Sequence, residues 1–156
     1  MPAVVRRLDD DRTQVRESVA VWVRLLECQN RVLTELRRAL PDECSLARFD
    51  LLANLERHDG LTPATLSRHM LVTAGNLTGL VTRAERDGLV VRRVDKNDRR
   101  RVHIHLTKEG KALIARLIPE HTRLLHDLLA DFSQPERQVL KGLLGRLRAG
   151  LRTREH

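Results

Sequence analysis

Aromatic side chains are nearly missing from this chain: there are one Trp, two Phe and no Tyr among 156 residues. The core must therefore be built of Leu, Val and Ile, and a platform of rings for stacking single-stranded bases is not expected. Cysteine is equally scarce. Cys28 and Cys44 form no Cys-x-x-Cys pair, so there is no disulfide framework, and the usage suits a reducing, cytoplasmic setting. Long hydrophobic runs are absent too. No stretch approaches ~18 consecutive apolar residues, the length needed to span a membrane. The opening Met1-Pro-Ala-Val-Val-Arg-Arg7 lacks the apolar run of a signal peptide. Acidic residues fall short of basic ones, 21 against 29, for a net charge of +8 and a sequence pI of about 10.8. Such an excess favours a polyanionic partner without specifying a fold. What is present, 41% hydrophobic and 32% charged residues, suits one globular domain, or a small domain with helical arms.

Catalytic and metal-binding patterns are also wanting. An enzyme would need a nucleophile beside a base, or paired carboxylates in a pocket; the carboxylates here scatter over helix faces, so no enzyme and no cofactor is expected. Among the seven His, His103 and His105 share one side of a strand that should meet solvent or DNA. His121 and His126 are not spaced to share a helix face. No Cys/His cluster has zinc-site spacing, so no metal is expected. Cys28 reads as a buried, inert residue of a helix rather than an oxidant sensor.

The pattern that is present is mostly helical. Val15, Val19, Trp22, Leu25, Leu26, Val32, Leu33 and Leu36 recur at helical spacing and predict one long helix over 12–40. Residues 1–11 read as a frayed polar end. Ser45 caps a second helix over 46–57, which Gly60 closes. Thr62-Pro63 starts a third, reaching residue 70. Thr73 caps a fourth over 74–87, with Leu77, Leu80, Val81 and Ala84 on its buried face. Residues 89–94 and 102–106 are β-like, the second strictly alternating. Thr107 caps a fifth helix running to about residue 131, where Pro119 predicts a kink or break. Ser133-Gln-Pro-Glu136 resembles a capping box opening a last helix over 135–152.

The fold class is thus mostly α with a small β-hairpin: a winged helix-turn-helix lobe over 46–106, between terminal helical regions at 12–45 and 107–156. A helix-turn-helix lays its second helix in the major groove with its first residues at the base edges. Thr73, Asn76 and Thr78 are the candidates for base contact, because Asn can donate and accept at adenine and Thr can hydrogen-bond or touch a thymine methyl. Thr82 and Arg83 suit phosphates or a second base step. The amides of the helix start, at Ala74, favour phosphate. Gly75 and Gly79 on the same face suit close approach to a polar surface. Arg99, Arg100 and Arg101 lie at the hairpin tip, which can enter a narrow minor groove. Asp98 beside them is explained if it orients an arginine or braces the turn.

These segments closely resemble the MarR family of winged-helix regulators. The resemblance rests on Leu61-Thr-Pro-Ala-Thr-Leu-Ser67, Gly75-Asn-Leu-Thr-Gly-Leu-Val81, Asp87-Gly-Leu-Val-Val-Arg-Arg93 and, most specifically, Asp95-Lys-Asn-Asp-Arg-Arg-Arg-Val-His-Ile-His-Leu-Thr-Lys-Glu-Gly110. It covers nearly the whole chain. It implies a homodimer built from the terminal helices, with two lobes reading a pseudo-palindrome in double-stranded DNA. It also implies that Arg100, paired with Asp98, enters the minor groove. A small ligand bound between the dimerisation helices and the lobe would weaken DNA binding. The segment from Met70 to Val81 is similar to members controlling catabolism of aromatic acids, including hydroxycinnamates, so the implied effector is an aromatic acid or its CoA thioester. Trp22, Asp50, His58 and Arg92 are the candidate ligand residues. Trp22 serves the dimer core or the pocket, and Asp50 can meet Arg92 as a salt bridge or as a ligand site. Urate-responsive relatives have a further Arg on the fourth helix, where this chain has Leu80. The expected function is that of a ligand-responsive repressor. The alternatives are a redox- or metal-responsive regulator of the same fold, or a nonspecific basic architectural protein.

Overall fold

A computed structural model describes residues 3–70 and 72–152, with side chains for 13–70 and 72–151. The elements in order are α1 (Ala3–Arg38), α2 (Leu46–Arg57), α3 (Pro63–Met70), α4 (Ala74–Arg86), β1 (Val90–Val94), β2 (Val102–Leu106), α5 (Lys108–Leu128) and α6 (Gln134–Arg152). Leu71, part of the expected turn between α3 and α4, lies outside the described residues.

Local chemistry explains most boundaries. Ser45, Thr73 and Thr107 each accept a hydrogen bond from the amide three residues on, at Arg48, Asn76 and Gly110, which satisfies an orphan donor of the first turn. Gly60 and Gly88 adopt positive φ, 74° and 72°, as the turns after α2 and α4 require. At the start of α6, Glu136 accepts from both the amide and the hydroxyl of Ser133.

Two helix ends differ from expectation. α1 begins at Ala3 rather than near residue 12. The polarity of 3–11 does not oppose a helix, and no Gly or Pro interrupts it after Pro2. α5 is unbroken through Pro119 and ends at Leu128. Pro119 is exposed, so its missing N–H costs one bond at the surface. Leu117 and Ile118 beside it stay packed on the core.

α2 is the centre of the lobe, packed against α3, α4, α5 and β2. Periodicity places Phe49, Leu52 and Leu55 inward; Leu51 is fully buried as well, because α2 is covered on more than one side. Leu66, Leu77, Val81, Ala84, Val90, Ile104 and Ile114 complete the core. Truncating any of these leucines to Ala would cost about 2–5 kcal/mol.

β1 and β2 pair antiparallel, from Val90 opposite Leu106 to Val94 opposite Val102. A bridge from Leu61 to Ile104 fastens β2 to the corner between α2 and α3. α1 and α6 keep apolar side chains in the open: Val15, Val19 and Trp22 on one, Val139, Leu143, Leu147 and Leu151 on the other. Among the described residues no helix is long and apolar enough to cross a membrane.

Candidate nucleic-acid interface

α4 presents Thr73, Ala74, Gly75, Asn76, Thr78, Thr82, Arg83 and Arg86 to solvent, while Leu77, Leu80, Val81 and Ala84 are buried. The expected division of the helix into two faces therefore holds. The hydroxyls differ in availability. That of Thr73 accepts from the Asn76 amide at 3.3 Å, and that of Thr78 donates to the Ala74 carbonyl at 2.9 Å. The Asn76 carboxamide makes no hydrogen bond among the described residues, so its donors and acceptor remain open. A methyl at Gly75 would meet nothing within 4 Å.

The projecting loop between β1 and β2 is a built turn. Asp95 Oδ1 accepts the amides of Asn97 and Asp98 at 2.7 and 3.0 Å. These two amides, with His103 beside them, hold the Asp95 carboxyl below the usual carboxylate range. Asp98 Oδ1 accepts the Arg100 amide at 3.1 Å and lies 3.6 Å from Arg100 Nε, while Asp98 Oδ2 lies 3.5 Å from Arg101 Nε. Asp98 thus braces two arginines, as anticipated for one. The Arg100 side chain remains 95% exposed, so its charge is held in place while staying open to a partner.

Wing and helix are clamped together. Glu85 on α4 accepts from both the amide and the guanidinium of Arg92 on β1, and Arg92 Nη2 donates to Thr82 Oγ1 at 3.1 Å. The expected Asp50–Arg92 pair is therefore replaced by Glu85–Arg92. Register explains this: Arg92 stands opposite Ile104, on the hairpin face turned toward α4. Sequence reasoning had no signal for Glu85, because the pair spans a helix end and a turn.

The structure surrounds the four candidate ligand residues with different neighbours. Trp22, 57% exposed, lines a cleft of about 550 Å³ between α1 and α6 with Glu17, Val21, Leu25 and Leu147. His58 meets the His69 ring edge-on at 6.2 Å. Asp50 feels the charge of His121, whose ring stacks on Phe49 at 4.1 Å. Although Asp50 keeps part of its surface open, desolvation raises its carboxyl, and desolvation likewise lowers the His121 imidazole. His121 was not among the expected ligand residues. Cys28, expected to be buried, is exposed on α1, whereas Cys44 is buried. Among the described residues no cluster of three or more His, Cys, Asp or Glu could hold a metal.

The chain is similar to known proteins. Residues 45–101 match the MarR family. The HTH-type transcriptional regulator PecS of Dickeya dadantii is 37% identical over 106 residues, covering 66% of this chain; the chain in turn spans 64% of that relative's length. Two solved structures share the fold. One is a mutant MarR from E. coli in complex with operator DNA (TM-score 0.77, 23% identity, 84% of this chain and 95% of that one). The other is BpsR of Bordetella bronchiseptica, described for the regulation of its DNA binding by 6-hydroxynicotinic acid (TM-score 0.76, 21% identity, 83% and 98%). The described residues thus share the winged-helix fold of these structures, and the lobe over 45–101 matches the MarR family.

Proposed function

We propose that this chain is a sequence-specific repressor of transcription. It acts in the cytoplasm as a homodimer on a pseudo-palindromic site in double-stranded DNA and is released by a small aromatic acid or its CoA thioester. The observation that carries this reading is the open polar face of α4 beside a projecting wing, the two joined by Glu85 and Arg92. Asn76 and Thr78, with Thr73 and Ala74 at the helix start, meet base edges and phosphate in the major groove. Thr82 and Arg83 meet the backbone, and Arg99 and the Asp98-braced Arg100 enter the minor groove. The operator complex of a relative with the same fold supports the assignment.

The dimer is supported by the apolar faces of α1 and α6, which a single chain leaves exposed. Contiguous exposed apolar surface of this kind marks an association site. Sedimentation of the intact protein tests it, with a monomer at micromolar concentration as the contrary result. Two lobes must then stand roughly 34–36 Å apart, one turn of DNA. A ligand that binds better to another spacing shifts the population away from the DNA-bound form.

The aromatic effector is supported by the 6-hydroxynicotinic acid response of BpsR and by the surroundings of Trp22 and Asp50. His58 and Arg92 stay candidates for its contacts. The test is a thermal-shift screen of aromatic acids and their CoA thioesters, followed by release of a selected duplex. No shift with any of them, or a shift without release, counts against the effector.

Asn76→Ala is expected to relax sequence preference at one base pair while leaving binding to scrambled duplexes unchanged. Competition against single-base variants of the selected site reads this out. An equal loss on every duplex would make Asn76 a backbone contact and favour a nonspecific basic protein.

Gly75→Ala offers a second check. The added methyl has open space, and Ala favours a helix by about 1 kcal/mol over Gly, so the melting temperature should rise. Affinity for the selected duplex should fall, because the methyl occupies the face that approaches the groove. A rise in both would remove the close-approach role of Gly75.

A further inference from the structure

Both wing histidines are engaged within the protein rather than left to solvent or DNA. The His103 ring on β2 lies between two oxygens. Its Nδ1 is 2.7 Å from the Gly60 carbonyl and its Nε2 is 3.1 Å from Asp95 Oδ2. Both contacts lie at hydrogen-bond distance, and which nitrogen donates follows from the ring's tautomer. The contact joins residues 43 positions apart, bringing the corner between α2 and α3 to the base of the wing turn.

From there the chain of contacts continues outward. The second oxygen of Asp95 holds the amides of Asn97 and Asp98, and Asp98 holds the amide of Arg100 and stands beside its guanidinium. An unbroken series of hydrogen bonds and ion pairs therefore runs from Gly60 through His103, Asp95 and Asp98 to Arg100. The inner end has little slack. His105 Nδ1 meets Asp59 Oδ2 at 3.0 Å, the Ile104 amide donates to the Leu61 carbonyl at 2.9 Å, and a methyl at Gly60 would fall 2.8 Å from His105 Cε1.

We propose that His103 is a positioning residue for DNA recognition. It is a strut between the start of the helix-turn-helix and the wing turn, and it sets where Arg100 stands relative to Asn76. It touches no DNA itself. Without it, Asp95 still shapes the turn, but the turn is no longer referenced to the corner that leads into α3. The inference rests on the DNA-binding reading above.

The test is a pair of double-mutant cycles on the intact protein, reading affinity for a duplex it selects at physiological salt. Arg100→Ala comes first. If no duplex is selected, or if Arg100→Ala leaves affinity unchanged, the DNA reading of the wing fails before His103 is considered. If Arg100 matters, His103→Ala in the wild-type background should weaken binding about tenfold, a coupling within the range for residues of one hydrogen-bond network. In the Arg100→Ala background the same change should cost less than about twofold, since no probe remains to be placed. The parallel cycle with Asn76→Ala should be additive. Additivity with Arg100 as well would overturn the proposal, because a residue that only stabilises the fold loses affinity equally in both backgrounds. Should His103→Ala fail to fold, His103→Gln and Asp95→Asn take its place. The latter retains an acceptor for the two turn amides and should show the same dependence on Arg100.

Discussion

Arg100→Ala is expected to weaken binding to a selected duplex by about 5- to 150-fold, equivalent to the ~1–3 kcal/mol of one specific arginine contact. The dimer and the melting temperature should be unchanged. The side chain is 95% exposed, so truncation removes no packing, and its ion pair with Asp98 is of the exposed kind that adds little stability. The effect should be larger for Arg100 than for Arg99. The backbone and Nε of Arg100 are both referenced to Asp98 Oδ1, whereas Arg99 makes no hydrogen bond to Asp98. Arg99→Ala should therefore act mainly through charge, with a smaller loss that vanishes as salt is raised. Fluorescence anisotropy at two salt concentrations distinguishes the cases. Unchanged affinity of Arg100→Ala at physiological salt would remove the wing from the DNA interface.

Gly110→Ala is expected to lower the melting temperature by about 3–10 °C, corresponding to ~1–3 kcal/mol of overpacking. The added methyl would lie 2.0 Å from the Leu89 carbonyl oxygen and 3.2 Å from Leu106 Cδ2. That carbonyl cannot retreat freely, because it accepts the Thr107 amide at 3.1 Å, and Thr107 also caps α5. The first turn of α5 must move away from the turn after α4. The contrast with Gly75→Ala is informative: the same substitution in a helix should stabilise at one position and destabilise at the other. Calorimetry on both variants checks the signs, and a neutral Gly110→Ala would mean that α5 can shift at little cost. Glycine at this place in the Leu-Thr-x-x-Gly pattern thus has a packing reason in this chain.

The pattern of residues was enough to place the helices, the strictly alternating second strand and the two faces of α4. The signals for these are short-ranged. A cap such as Thr73 acts on an amide three residues away, a positive-φ glycine acts on its own turn, and periodicity reports burial within one element. The Asp98–Arg100 brace was legible for the same reason, both residues lying in one turn. Polarity misled at the N-terminus, where α1 continues to Ala3. At residue 119 the break, one of the two outcomes expected of proline, does not occur: a missing donor on an exposed surface does not end a helix held by Leu117 and Ile118.

Partnerships between elements were decided only by the tertiary structure. Arg92 could be paired with any nearby carboxylate from composition alone, and hairpin register turned it to Glu85 instead of Asp50. His103 and His105 alternate correctly for an outward strand face, and nothing local says that Asp95, Asp59 and the Gly60 carbonyl lie across from them. The physical reason is that a charge or imidazole specifies only the chemistry it needs from a partner. Which partner supplies it, 40 or more residues away along the chain for Gly60 and Asp59, is fixed by how the apolar faces of α2, α4, α5 and the hairpin close on one another.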